Sequence, residues 1–274
     1  MASDLTRIGA NIQAMQSLTS FNQINSKIAM HQLRLATGKR INTAGDDPAG
    51  YQLAKTLDGR AKGLAVALDN VSNAQNVLSV AEGGYQGIMD ILQTAKEKAT
   101  QAADGILTDT QRTALNDQVS ALIAEVEDIV AEATFNGSAL IDGSYSSTFQ
   151  TGEAAGDTLA VTLQGSDSVD LSINSVNIAT QASASAAITS LGTAITSLSQ
   201  RIQDVGEYKA RLTAKENTLS VSITNTEAVR STIEDADFAK EQMEVMKYQI
   251  LQQTALSSLA QSNTAPQIVL SLFG

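Results

Sequence analysis

The chain has 274 residues, with 18 Lys+Arg against 29 Asp+Glu and a formal net charge of −11 at pH 7. That acidic balance argues against nucleic acid or an anionic membrane as a partner, because both are coated in phosphate. With no Cys and a single His, His31, the chain can form neither disulfides nor a thiolate metal cage.

The first apolar series is Leu5, Ile8, Ile12, Met15, Leu18, Phe21, Ile24 and Ile28. Its steps of three and four residues predict a helix with one apolar stripe. The opening "MASDLTRIGANIQAM" has no basic region leading into an unbroken apolar run, so no cleavable signal is expected. No stretch approaches the ~20 apolar residues of a membrane span. "RLATGKRINTAGDD" interrupts the stripe with Gly38 and Gly45.

"DDPAG" predicts a fresh helix start. Asp47 can accept from the open amides of the first turn, and Pro48 suits the first helical position. The stripe then runs Leu57, Ala61, Leu64, Leu68, Val71, Ala74, Leu78, Ala81, Tyr85, Ile88, Leu92, Ala95, Ala99 and Ala102. This near-heptad spacing requires a neighbouring helix along its length, roughly 80 Å at 1.5 Å per residue. Gly83, Gly84 and Gly87 lie inside it, marking either close helix packing or a bend. "TDTQ", residues 108–111, is a capping box, and Leu115, Val119, Leu122, Val126, Ile129 and Ala133 form a second seam.

The middle changes period. Leu159, Val161 and Leu163 alternate with polar residues, as do Val169, Leu171 and Ile173, predicting a β-hairpin that turns at "QGSDS". A third heptad run follows through Ile188, Leu191, Ile195, Leu198, Ile202, Val205, Leu212, Leu219 and Ile223. Lys209 and Glu216 occupy intervening heptad positions and predict looser pairing there. In the last helix Met243, Met246 and Ile250 share a stripe, while Leu251, Ala255, Leu256, Leu259 and Ala260 spread round the circumference. A helix apolar on all sides is a buried helix.

The fold class is therefore mainly α: a long antiparallel coiled-coil-like rod with a small β-hairpin region, plus a terminal two-helix coiled coil. The expected divisions are 1–45 (N-terminal helix of the second unit), 46–142 (rod helices), 143–182 (hairpin and loops), 183–230 (C-terminal rod helix) and 231–274 (C-terminal helix of the second unit). The terminal pair carries more hydrocarbon than two helices can cover, up to Ile268, Val269, Leu270, Leu272 and Phe273. Each is worth about 1.5–3 kcal/mol if buried. Other copies of the chain are the simplest cover, and a head-to-tail contact that does not close gives a helical filament.

Chemical motifs are sparse. His31 has no triad partner, and the acids of "EDAD" (234–237) and Asp46–Asp47 read as complements to helix starts. No phosphate loop is present. No cofactor, metal or catalytic residue is expected. Asn70 and Asn136 sit in short sequons, and "SYSSTFQTG" offers exposed hydroxyls.

"RLATGKRINTAGDDPAG" (34–50), "FNGSAL" and "IEDADFAKEQMEVMKYQILQQTALSSLAQSNTAPQIVLSL" (233–272) resemble the signatures of bacterial flagellins. The resemblance covers about the first 140 and last 90 residues. It implies that the terminal helices form an inner filament-core domain and that the middle is the rod domain. With only some 45 residues in the middle, the chain resembles a minimal flagellin without large outer domains. The implied function is a self-polymerising structural subunit of the extracellular flagellar filament. The implied partners are the chain itself, the type III export apparatus with a cytosolic chaperone, and junction and cap proteins. A hook–filament junction protein and a type III translocator are the alternatives; an enzyme is not expected. The implied self-association residues are Leu5, Ile8, Ile12, Met15, Leu18, Ile24, Ile28, Met243, Met246, Ile250, Leu251, Leu256, Leu259, Ile268, Val269, Leu270, Leu272 and Phe273. Some flagellins carry an immune-receptor patch, L-Q-R-x-R-E-L-A-x-Q. Here "LQTAKEKATQ" (92–101) keeps Gln93 and Glu97 but has Thr94 for the first arginine, which predicts weak or absent recognition.

Overall fold

The computed structural model of the protein describes the backbone of residues 11–271 and the side chains of residues 11–264. Among these, five helices run in order: α1 Ile12–Thr37, α2 Pro48–Ala102, α3 Asp109–Glu132, α4 Gln181–Glu234 and α5 Phe238–Ser271. Two antiparallel strand pairs lie between α3 and α4: β1 Thr134–Phe135 with β2 Ser138–Ala139, and β3 Ser146–Gln150 with β4 Thr158–Thr162. The chain divides into two compact units, Arg60–Thr224 and the pair of segments Met1–Gly59 with Asn225–Gly274.

In the unit formed by Arg60–Thr224, the predicted seams meet. Val71, Ala74, Leu78, Ala81, Tyr85, Ile88, Leu92, Ala95 and Ala99 of α2 are buried, together with Leu115, Val119 and Val126 of α3 and Leu191, Leu198, Val205, Leu212 and Leu219 of α4. α3 opens on the expected capping box, with Thr108 accepting from the Gln111 amide and the Gln111 side chain accepting from the Thr108 amide. Arg112, buried beneath that turn, donates to the carbonyls of Ala102 and Asp104 at 3.0 and 2.7 Å and so closes the end of α2.

Lys209 and Glu216 do not loosen the α2–α4 seam. Lys209 Nζ donates to Glu82 at 2.6 Å, and Gln75 donates to Glu216 at 3.0 Å. Each polar residue of α4 finds a partner one heptad along α2, in antiparallel order. A slip of one heptad would break both pairs, setting Glu216 against Glu82 in one direction or Lys209 against Gln75 in the other, so the pairs favour this register.

The hairpin differs from expectation. β4 does carry Leu159 and Val161, both buried, but it pairs with the preceding β3, in register Ser146 with Thr162 through Gln150 with Thr158. Residues 168–172 form turns. Their alternation arises because Leu171 and Ile173 plug the core while Val169 stays exposed. Arg201 of α4 secures this loop by donating to the carbonyl of Gly165 and to Ser166 Oγ. Tyr85 Oη donates to the Gln164 carbonyl at 2.6 Å, and burial pushes its phenol up to about 12.

The glycines of α2 play different parts. A Cβ on Gly84 would stand 2.9 Å from Ile141 Cδ1 and 3.3 Å from Ala133 Cβ, so Gly84 allows the chain after α3 to pack close. Gly83 faces open space. The helix continues unbroken through both.

Candidate self-association surface

The second unit is built on α1 and α5. Asp47 caps α2 by accepting from the Gly50 amide at 3.0 Å, as its place before Pro48 predicts. Asp46 instead folds back, accepting from the amides of Asn42 and Thr43. The Thr43 amide bond, with smaller help from Asn42, holds the Asp46 carboxyl below its ordinary value. Of the acids at 234–237, Asp237 alone stands at a helix start, accepting from the amides of Ala239 and Lys240. Glu234 ends α4 and binds Lys39 at 2.7 Å and Arg230 at 3.1 Å. Here Gly38 ends α1 in the left-handed conformation at φ 71°, which a residue without Cβ adopts freely. The turn this permits sends the Arg40 amide to the Glu234 carbonyl at 2.6 Å.

α1 and α5 pack side by side, and three contacts set their direction. Asn11 reaches the Ser262 carbonyl at 2.7 Å, Gln252 donates to Asn25 Oδ1 at 2.6 Å, and His31 Nδ1 shares a hydrogen bond with Glu241 Oε2. As the residue number rises in α1 it falls in α5, so the pair is antiparallel. The seam in α5 runs Glu241, Val245, Tyr248, Gln252, Ala255, Leu259, Ser262, stepping by four and three. The α1 side runs Ala14, Ser17, Phe21, Ile24, Ile28, His31. Both are heptad seams, but much of what they enclose is polar or small. His31, which has no triad partner in the sequence, is buried: its ring stacks on Tyr248 at 5.4 Å between centroids. Glu241 also accepts from Arg34 at 3.5 Å.

A second set of large apolar residues points away from the seam. Met15 is 65% exposed, Ile250 65% and Met243 60%, and Ile12, Leu18, Met246, Leu251 and Leu256 are exposed with them. Of the predicted association residues, Ile24, Ile28 and Leu259 lie instead toward the α1–α5 seam. The division has a geometric cause. From Ile12 to Ile24 the predicted stripe advances by threes, and four such steps carry it about 120° round a helix of 3.6 residues per turn. Its early members therefore face outward and its late members inward. Leu5, Ile8, Leu272 and Phe273 lie outside the described residues, and Ile268, Val269 and Leu270 belong to α5 with side chains outside them. The polar seam in α5 was missed because an apolar-period search passes over Glu241, Gln252 and Ser262. Gln93, Thr94 and Glu97 are exposed on α2, in the other unit.

Among the described residues no three His, Asp or Glu are grouped to hold a metal. No described helix is long and apolar enough to cross a membrane.

The chain matches the family description "Bacterial flagellin N-terminal helical region" over residues 8–146 and "Bacterial flagellin C-terminal helical region" over residues 188–273. It belongs to the bacterial flagellins. It is 33% identical to flagellin FlaB1 of Treponema pallidum and 31% identical to the flagellin of Bacillus subtilis, in each case over 97% of this chain and 99% of the relative. The flagellar filament 33 kDa core protein of Treponema phagedenis is 32% identical over the same shares. In fold alone, the flagellin is similar to a protein assigned as flagellar hook-associated in Vibrio parahaemolyticus, with a TM-score of 0.60 over 69% of this chain and 100% of that one at 14% identity. As a flagellin it is a structural protein and not an enzyme: a subunit that self-assembles into the extracellular flagellar filament that serves motility. A junction protein or a membrane translocator is not favoured by relatives that are filament proteins along nearly their whole length.

Proposed function

We propose that filament contacts are made by the outward face of the α1–α5 pair: Ile12, Met15 and Leu18 on α1, and Met243, Met246, Ile250, Leu251 and Leu256 on α5. The observation that carries this is the row of large apolar side chains left exposed on the pair, outside a seam that already holds Phe21, Ile24, Ile28, Val245 and Leu259. A free subunit leaves those side chains in water, and each one buried against a neighbouring copy contributes about 1.5–3 kcal/mol. Leu5, Ile8, Ile268, Val269, Leu270, Leu272 and Phe273 extend the same surface in this reading. Ile24, Ile28 and Leu259 hold the pair together within one subunit. The pair, 1–45 with 231–274, is the filament-core domain, and 46–142, 143–182 and 183–230 make up the rod.

Secretion in this reading proceeds unfolded through the flagellar export apparatus, with a cytosolic chaperone covering α5 beforehand. Junction and cap proteins bound the two ends of the polymer. The α2 patch at Gln93, Thr94 and Glu97 binds the immune receptor weakly or not at all.

The test is Ile250→Asp with Met246→Asp, and separately deletion of residues 264–274. Each product should stay soluble, with the helical circular dichroism of the rod, and fail to elongate filament seeds in sedimentation and electron microscopy. Filaments forming at the unmodified subunit's critical concentration would refute the assignment.

A further inference from the structure

The chain has six methionines, and three of them, Met15, Met243 and Met246, are 65, 60 and 49% exposed on the outward face of α1 and α5. Met30 is half-buried, and Met89 packs against the core of the other unit. The three exposed thioethers stand among the side chains assigned above to contacts between copies: Met15 between Ile12 and Leu18 in the series, Met243 and Met246 two and one helical turns before Ile250. A thioether is the one apolar side chain in that series that a mild oxidant converts to a strongly polar one.

We propose that Met15, Met243 and Met246 are an oxidation site that controls assembly: their conversion to sulfoxides leaves the subunit folded and stops it polymerising. This rests on the self-association reading above. The oxidant is a peroxide. A lone pair of the thioether sulfur attacks the nearer peroxide oxygen, the O–O bond breaks, and an S–O bond forms. Sulfur loses two electrons, the departing oxygen takes them with a proton, and the products are sulfoxide and water. Two thiol equivalents delivered by a sulfoxide reductase reverse the step, giving thioether, disulfide and water.

The physical reason for control lies in what each state tolerates. In the free subunit all three side chains are exposed, so adding an oxygen costs the fold little. Against another copy the same oxygen must give up its water for hydrocarbon, and an unpaired buried polar group is expensive. Met89, whose oxidation would disturb the core, is partly buried against it and less open than the three. Oxidation of the free subunit should therefore begin at the three residues that assembly requires apolar. Once a filament forms, the contacts cover them.

The experiment treats the purified full chain with hydrogen peroxide, removes the peroxide with catalase, and maps sulfoxides by peptide mass. Seeded elongation and circular dichroism follow. Met15, Met243 and Met246 should oxidise ahead of Met89 with the helical signal unchanged. Critical concentration should rise roughly tenfold per buried sulfoxide, equivalent to about 1.4 kcal/mol each. Sulfoxide reductases of both epimer specificities should restore elongation, a readout that needs no variant. Peroxide applied to finished filaments should leave the three residues unmodified. A subunit with all three replaced by Leu should elongate equally with or without peroxide.

Unchanged elongation of the oxidised subunit, or equal peroxide sensitivity in the triple-Leu subunit, overturns the proposal. Met243→Asp with Met246→Asp separates it from the reading beneath. If Asp blocks assembly and sulfoxide does not, only the oxidation site falls. If Asp is harmless too, the self-association surface itself is misplaced.

Discussion

Replacing Gly83 and Gly84 by Ala, one at a time, makes the same chemical change at adjacent positions of α2 and should have opposite effects. In both cases a helical glycine gains a Cβ, which favours the helix by about 0.8–1 kcal/mol. At Gly83 nothing lies within 4 Å of the new carbon, so that gain stands. At Gly84 the Cβ meets Ile141 Cδ1 at 2.9 Å and Ala133 Cβ at 3.3 Å. Ile141 is fully buried, so its methyl has no empty space to enter. Overpacking of this kind costs about 1–3 kcal/mol. The two variants should thus differ by about 1–3 kcal/mol. With about 2–4 °C per kcal/mol for a body of this size, Gly83→Ala raises the thermal midpoint by a few degrees and Gly84→Ala leaves it unchanged or lowers it. Thermal unfolding of dilute, unpolymerised subunit by circular dichroism is the assay. Ile141→Val removes the colliding methyl. Combined with Gly84→Ala, it should cost less than the sum of the single changes by about 1 kcal/mol. Equal stabilisation by Ala at both sites, or strict additivity with Ile141→Val, would refute the close-packing account.

Two further outcomes follow from the unit formed by Arg60–Thr224. The Lys209–Glu82 pair is about one-third exposed on both sides, so Lys209→Ala should cost no more than about 1 kcal/mol, and its effect on the thermal midpoint should shrink in 0.5 M salt as screening replaces it. The Tyr85 phenol is pushed up to about 12 by burial, against an ordinary 10.0. A raised acid pKa favours the protonated fold, so this stability is present below pH 10 and is lost as pH rises through about 12. In a spectrophotometric titration of the folded chain, Tyr85→Phe should remove a phenolate that appears near pH 12.

The parts of the fold that were legible in the sequence are those where apolar spacing and core coincide. The α2 series from Val71 to Ala99 and the Thr108–Gln111 capping box are read directly, because coiled-coil seams and caps are local patterns. β3 was not legible. Ser146–Gln150 carries a single large apolar residue, Phe149, and its strand character comes from backbone pairing with Thr158–Thr162. Residues 169–173 misled for the converse reason: a turn that buries Leu171 and Ile173, two residues apart, has the spacing of a strand. Lys209 and Glu216 looked like weaknesses because the sequence of one helix does not show Glu82 and Gln75 waiting opposite. The terminal pair was the hardest, since only part of its apolar stripe faces inward and its seam mixes Glu241, Gln252 and Ser262 with Val245 and Leu259. Hydrophobic periodicity finds where grease lies and not which neighbour covers it.

The antiparallel pairing of α1 with α5 has a consequence for synthesis. About 200 residues separate Thr37, where α1 ends, from Phe238, where α5 begins. At about 5–20 residues per second a ribosome needs about 10–40 s to cross that interval. Throughout it the nascent chain has one half of the pair and none of the Asn11, Asn25 and His31 partners that orient it. Neighbouring chains on one messenger therefore lack the completed pair for most of their translation.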